Sequence, residues 1–231
     1  MFCSETAIMS SEDPPFEPSI VPAERPGKEG GVRARNRRQR TTDLCQAGLR
    51  LFRDRGLEAT TVDEITREAG VSKGTFYRYF NDKAALVGAI FAPLEAEVDA
   101  AMTRCRVALE EASDAELEAA YARLAVELGA VLLGSPQTVD LYLTESRGAE
   151  GPERAAIHRL RDDIVDAAID LTRVAQGRGL LRDLSVNVTA VAVIGAVEAL
   201  LARFFAGRLD GAPDEVAEAL IGMVLDGSRR R

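Results

Sequence analysis

Apolar residues recur along this chain at helical spacing for most of its length. Leu117, Tyr121, Leu124, Leu128 and Val131 step by 4, 3, 4 and 3, and Ile157, Leu160, Ile164, Ala167, Leu171 and Val174 by 3, 4, 3, 4 and 3. Ile194, Val197, Leu201 and Phe204 repeat the pattern, as do Val216, Leu220 and Val224. Stripes of this kind are helical faces turned to a core. Breaks fall at Gly134-Ser135-Pro136, Gly148 to Pro152, Gly177-Arg178-Gly179 and Gly207 to Pro213. No run alternates with the period of two that a strand requires. The pattern predicts an all-α fold.

The N-terminal third has shorter elements. A first helix is expected from about Thr42 to Arg55, buried by Leu44, Leu51 and Phe52. Thr61 stands three residues before Glu64, which is a capping box and starts a second helix from Val62 to Ala69. Ala69-Gly70-Val71 makes a turn, and Ser72 caps a third helix from Lys73 to Phe80. Phe76 and Phe80 lie four apart on its inward face; Lys73, Thr75, Tyr77, Arg78 and Tyr79 lie outward. Two short helices joined by a glycine turn form a helix-turn-helix, whose second helix enters the major groove of DNA. A fourth helix begins at Asn81 or Asp82 and carries Leu86, Ile90, Leu94 and Val98, with Pro93 inside it as a candidate kink.

Ala69-Gly70-Val71-Ser72-Lys73-Gly74-Thr75-Phe76-Tyr77-Arg78-Tyr79-Phe80, followed by Lys83-Ala84-Ala85-Leu86, resembles the signature of the TetR family of transcriptional regulators. The likeness runs from about Arg38 to Pro93. It implies a helix-turn-helix domain over residues 38–98, with the motif at about 61–80, and a C-terminal effector-binding and dimerisation domain over 99–231. By the family pattern, Thr60 and Thr61 at the start of the second helix hold a phosphate. Ser72, Lys73, Gly74, Thr75, Tyr77, Arg78 and Tyr79 form the DNA-facing set, with Arg78 able to bond a guanine edge. Lys83 would hold a further phosphate. The bland alternative for Tyr77 and Tyr79 is partial burial in the small core.

Charge sharpens this picture. The formal net charge is -8, the wrong sign for a protein that coats nucleic acid. Residues 33–83, however, carry 12 Lys and Arg against 7 Asp and Glu, and residues 84–231 carry 15 against 24. A basic module on an acidic body should meet DNA with one face only. Residues 1–32 are crowded with Pro, Ser, Glu and Gly and are expected to be a disordered tail. Residues 33–41 hold Arg33, Arg35, Arg37, Arg38 and Arg40. They read either as a solvated charge run or as an arm that grips phosphate or enters the minor groove.

For the C-terminal part the resemblance implies an effector cavity among helices 4 to 7. Its candidates are Tyr121, Leu124, Leu128, Leu141, Tyr142, Ile157, His158 and Ile164. Tyr121, Tyr142 and His158 are the polar handles. The last two helices, about Val186 to Leu209 and Pro213 to Asp226, are expected to pair two copies. Their interface residues would be Ile194, Val197, Leu201, Phe204, Phe205, Val216, Leu220 and Val224. Packing of these faces inside one chain is the alternative.

Other classes fare poorly. Cys3, Cys45 and Cys105 are far apart, and His158 is the one histidine, so no metal cluster and no cofactor is implied. There is no GxSxG, P-loop or GxGxxG motif, which argues against an enzyme. No signal peptide is evident, and the most apolar stretch, Ala190 to Gly207, is interrupted by Glu198 and Arg203 and judged too short to span a bilayer. A cytoplasmic homodimer is expected, binding palindromic operator DNA as a repressor and released by an apolar or amphipathic small molecule. Activation, or a helical interaction protein with a degenerate head, are the competing readings.

Overall fold

A computed structural model of the protein describes residues 32–228. The expected tail lies outside the described residues except for Val32, which begins the first helix. Among the described residues the chain forms nine α-helices and no β-strand: α1 (Val32–Arg55), α2 (Val62–Glu68), α3 (Lys73–Tyr79), α4 (Lys83–Glu111), α5 (Asp114–Gly134), α6 (Pro136–Glu145), α7 (Ala155–Gly177), α8 (Val186–Phe205) and α9 (Pro213–Ser228). A 3-10 turn, Pro152–Arg154, leads into α7.

The head consists of α1 to α3 and the start of α4. Leu44, Leu57, Ile65, Phe76 and Leu86 are fully buried at its centre. The caps expected from sequence form. Thr61 Oγ1 accepts from Glu64 N at 3.3 Å, while Glu64 Oε2 accepts from Thr61 N at 2.9 Å. Ser72 Oγ accepts from Thr75 N, and Asp82 Oδ1 accepts from Ala85 N at 2.7 Å. Gly70 takes φ +64 in the turn between α2 and α3, where a side chain would be strained. Gly48 lets α1 approach α4, because a Cβ there would lie 2.8 Å from Leu86 Cδ2.

α1 departs from expectation. It starts at Val32 instead of Thr42, so the basic arm is the first part of a 24-residue helix. Arginine and glutamine are good helix formers, and nothing in this stretch breaks the turn. α4 runs unbroken through Pro93 for 29 residues. Its neighbours Ile90, Phe91 and Leu94 are buried, and this packing holds the turn that proline weakens.

In the body α4 lies against α7, α5 packs on α4, α8 on α7 and α9 on α5. Of α8 only Ala190 is buried. With 20 residues and a mean hydropathy of 1.9, α8 is long and apolar enough to cross a membrane by length and composition, which corrects the reading of this stretch as too short. The helix begins at Val186, upstream of the stretch judged from sequence.

Candidate DNA-binding face and effector cavity

The outward side of α3 is built by its inward side. Phe76 is fully buried and stacks edge-on with Tyr77 at 5.4 Å between ring centroids, which holds Tyr77 outward at 50% exposure. Arg78 is exposed and has no hydrogen bond or ion pair among the described residues. Ser72, Lys73 and Gly74 are exposed and Thr75 is half-buried. Lys73 Nζ pairs with Asp63 Oδ1 at 2.8 Å, an exposed bond that water and salt screen. Tyr79 is half-buried against the core, as its bland alternative held.

Two of the family-implied phosphate contacts are corrected. Thr60 is 1% exposed, and its hydroxyl donates to Gly56 O at 2.8 Å and to Leu51 O at 3.3 Å. That hydroxyl closes the α1–α2 loop and is turned away from solvent. Lys83 Nζ donates to Leu57 O at 2.6 Å and Thr60 O at 3.0 Å and lies 3.6 Å from Glu153 Oε1, with its side chain 14% exposed. Its three donors tie the same loop to α4 and to the body. Thr61 remains exposed, with its amide and hydroxyl engaged by Glu64. Those bonds hold the Glu64 carboxyl below its ordinary range.

Arg38 and Arg40 stand exposed on α1, and Arg40 lies 3.7 Å from Asp43. Because the arm is helical, its arginine side chains and not its backbone would be what reaches into the minor groove. A helix about 10–12 Å across with side chains does not enter a groove about 6 Å wide. Phosphate contact is compatible with this geometry.

The body carries a half-open apolar cavity of about 310 Å³, lined by α4, α5, α6, α7, α8 and α9. Five of the eight candidate effector residues line it: Tyr121, Leu124, Leu128, Tyr142 and Ile164. Leu141 and Ile157 do not; they are 2% and 0% exposed and belong to the packed core. His158 is also absent from the lining, and its Nε2 is buried without a hydrogen-bond partner among the described residues. Burial pushes the Tyr121 phenol well above its ordinary range; it does the same at Tyr142, aided by a bond to Glu198. Burial also pushes the thiols of Cys45 and Cys105 up to about 11, which keeps them in the thiol form near neutral pH.

The residues expected at the dimer interface also fall on this cavity. Ile194, Val197, Leu201, Phe204, Val216, Leu220 and Val224 line it, and Phe205 packs against the core. Exposed apolar side chains on α8 and α9 include instead Val188, Val191, Ala192, Ala199, Ala202, Ala219 and Met223, beside the exposed polar Asn187, Arg203, Asp214, Glu215 and Glu218. A Cβ on Gly195 would meet nothing within 4 Å, so that side of α8 is open. Sequence reasoning missed Glu198 as a cavity residue. It stands alone as an acid in the apolar run of α8, and that isolation was the available signal.

It also missed a bridge between head and body. Arg154 donates from Nε to Glu145 Oε2 at 2.7 Å and from Nη1 to Glu58 Oε1 at 2.6 Å. Arg53 of α1 pairs with Asp140 of α6 at 3.1 Å.

Comparison with known proteins bears on the head first. The family model described as bacterial regulatory proteins, tetR family, matches residues 44–90. The head is a TetR-family DNA-binding domain. The chain is 38% identical over 98 residues to the transcriptional activator FasR of Mycolicibacterium smegmatis, covering 40% of this chain and 43% of FasR. It is 41% identical over 51 residues to the transcriptional repressor KstR2 of Rhodococcus jostii, covering 22% of this chain and 25% of KstR2. The match thus spans less than half the length of these curated relatives, which are transcriptional regulators and not enzymes. A TetR family regulator from Marinobacter aquaeolei VT8 superposes with a TM-score of 0.62 at 21% identity, covering 87% of this chain and all of that one. FadR of Bacillus subtilis, solved with stearoyl-CoA, gives a TM-score of 0.62 at 15% identity, covering 80% and 98%. At these identities the superpositions speak for the TetR-type fold of head and body together.

Proposed function

We propose that this chain is a ligand-responsive transcriptional regulator: a homodimer that binds palindromic operator DNA as a repressor and is released by a small apolar or amphipathic molecule. The observation that carries this reading is the exposed face of α3, with Arg78 and Tyr77 turned to solvent, joined by one continuous helix, α4, to a body with an apolar cavity. Tyr77, Arg78, Lys73, Thr75 and Ser72 would meet the DNA, and Arg38 and Arg40 would add phosphate contacts. A single recognition helix spans too few base pairs for useful affinity, which favours a dimer on two half-sites. The open side of α8 and α9, from Val188 to Ala202 and at Met223, is the surface for a second copy. A dimer seated on a promoter blocks it by occupancy alone, so repression needs no further surface. Release requires a ligand that binds the DNA-incompetent state more tightly, because equal affinity shifts nothing.

The test is fluorescence anisotropy with duplex DNA from upstream of the chain's own coding sequence and of its neighbours. Saturable binding at two chains per duplex, lost to a scrambled duplex, is expected. Equal binding to both duplexes would leave a helical interaction protein with a degenerate head as the better reading.

A further inference from the structure

Glu198 is the one charged side chain lining the apolar cavity among the described residues. It is 15% exposed on its side chain and points one oxygen at Tyr142, whose hydroxyl donates to Oε1 at 2.8 Å. Arg147 Nη2 reaches Oε2 at 3.2 Å, but Arg147 is 71% exposed, so its charge stands in water and is screened. The other polar residues of the lining, Tyr121, Tyr142, Thr172 and Thr189, are neutral. Thr172 spends its hydroxyl on Ala168 O at 2.8 Å. No Lys, Arg or His lines the cavity among the described residues.

This asymmetry has a chemical consequence. A ligand carboxylate or phosphate drawn into the cavity would lose its hydration, find no counter-charge in the wall and face Glu198. A protonated nitrogen would instead gain a charge-assisted hydrogen bond, because a carboxylate offers about four acceptor positions and Tyr142 and Arg147 use two. The remaining wall, from Leu94 through Leu128 to Leu220, suits an alkyl or ring body.

We propose that Glu198 makes the cavity selective for lipophilic amines: ligands with an apolar body and a protonated nitrogen that binds the Glu198 carboxylate. This rests on the reading of the cavity as the effector site and deepens it. Tyr142 holds Glu198 in place, and the chain discriminates against fatty carboxylates of equal length.

The experiment titrates the full chain at pH 7 with decylamine, decanol and decanoate by calorimetry, in the wild type and in Glu198→Gln. Decylamine should bind about ten-fold more tightly than decanol, and decanoate more weakly than either. Glu198→Gln keeps an acceptor for Tyr142 and should bring decylamine to within about threefold of decanol, with helix content by circular dichroism unchanged. Arg147→Ala, at an exposed position, provides a second variant and should widen the amine preference by freeing Glu198 Oε2 for the ligand nitrogen. Decanoate binding as tightly as decylamine, or a preference unmoved by both substitutions, would overturn the amine assignment and leave the cavity as a binding site. Binding of none of the three would overturn the cavity reading as well.

Discussion

Arg78 lies on the exposed side of α3 with no protein partner among the described residues, so its guanidinium is available to a base edge. Arg78→Ala should cost about 1–3 kcal/mol of discrimination at one base position. Competition between operator and single-base variants measures this, and an equal loss for all sequences would make Arg78 a phosphate contact. Lys83 leads to the opposite expectation. Its ammonium is committed to Leu57 O and Thr60 O, so Lys83→Ala leaves two carbonyls unpaired and should lower stability by about 2 kcal/mol. The salt dependence of DNA binding should keep its slope, since no phosphate contact is lost. Acid should also destabilise the head. Glu58, held low by its bond to Arg154, and Glu64, held low by the Thr61 amide and hydroxyl, have depressed carboxyl pKa values. A depressed folded value gives stability that is present above the ordinary value of 4.5 and lost as pH falls through the folded one. The thermal midpoint should therefore drop as pH falls below about 4.5, and Glu64→Gln should flatten that drop.

At the scale of elements, α6 joins the two sites. Tyr142 on α6 bonds Glu198 in the cavity wall; three residues later Glu145 holds Arg154, which holds Glu58 in the loop before α2. Arg154 is 15% exposed and Glu145 8%, and removing one partner of such a buried pair is costly. Arg154→Ala should lower stability by about 3 kcal/mol and weaken the effect of any effector on DNA affinity, with DNA affinity without effector less changed. Equal ligand response in mutant and wild type would remove α6 from the path. The head was legible in the sequence because its determinants are local. Thr61 and Glu64, Ser72, Gly70, and Phe76 with Phe80 act within four residues of one another. Body positions were less legible because a helical stripe tells that a residue is turned inward but not toward what. Leu141 and Ile157 went to solid core, and Leu201 and Val216, read as interface, went to the cavity. The arm was misjudged as separate because charge marked it more visibly than helix propensity did. Lys83 and Thr60 were misassigned because a family position does not reveal which backbone carbonyls fold back to meet it.

At the scale of the whole molecule, the unburied side of α8 demands explanation. Val188 and Val191 are 68% and 54% exposed, and Met223 on α9 is 65% exposed. A second copy would cover them with two helices from each chain. Val191→Asp combined with Ala199→Asp should give monomers by sedimentation, with helix content retained, because charges would be placed in an apolar interface. A dimer surviving both substitutions would place the interface elsewhere. The proposal of sequence-specific DNA binding by a dimer is tested most directly by selection of bound duplexes from a random pool by the full chain. The account predicts a two-fold symmetric sequence with two half-sites, whose enrichment is lost at one position of each half-site in Arg78→Ala. Recovery of no common sequence, or of a single unsymmetric half-site bound by one chain, would contradict it.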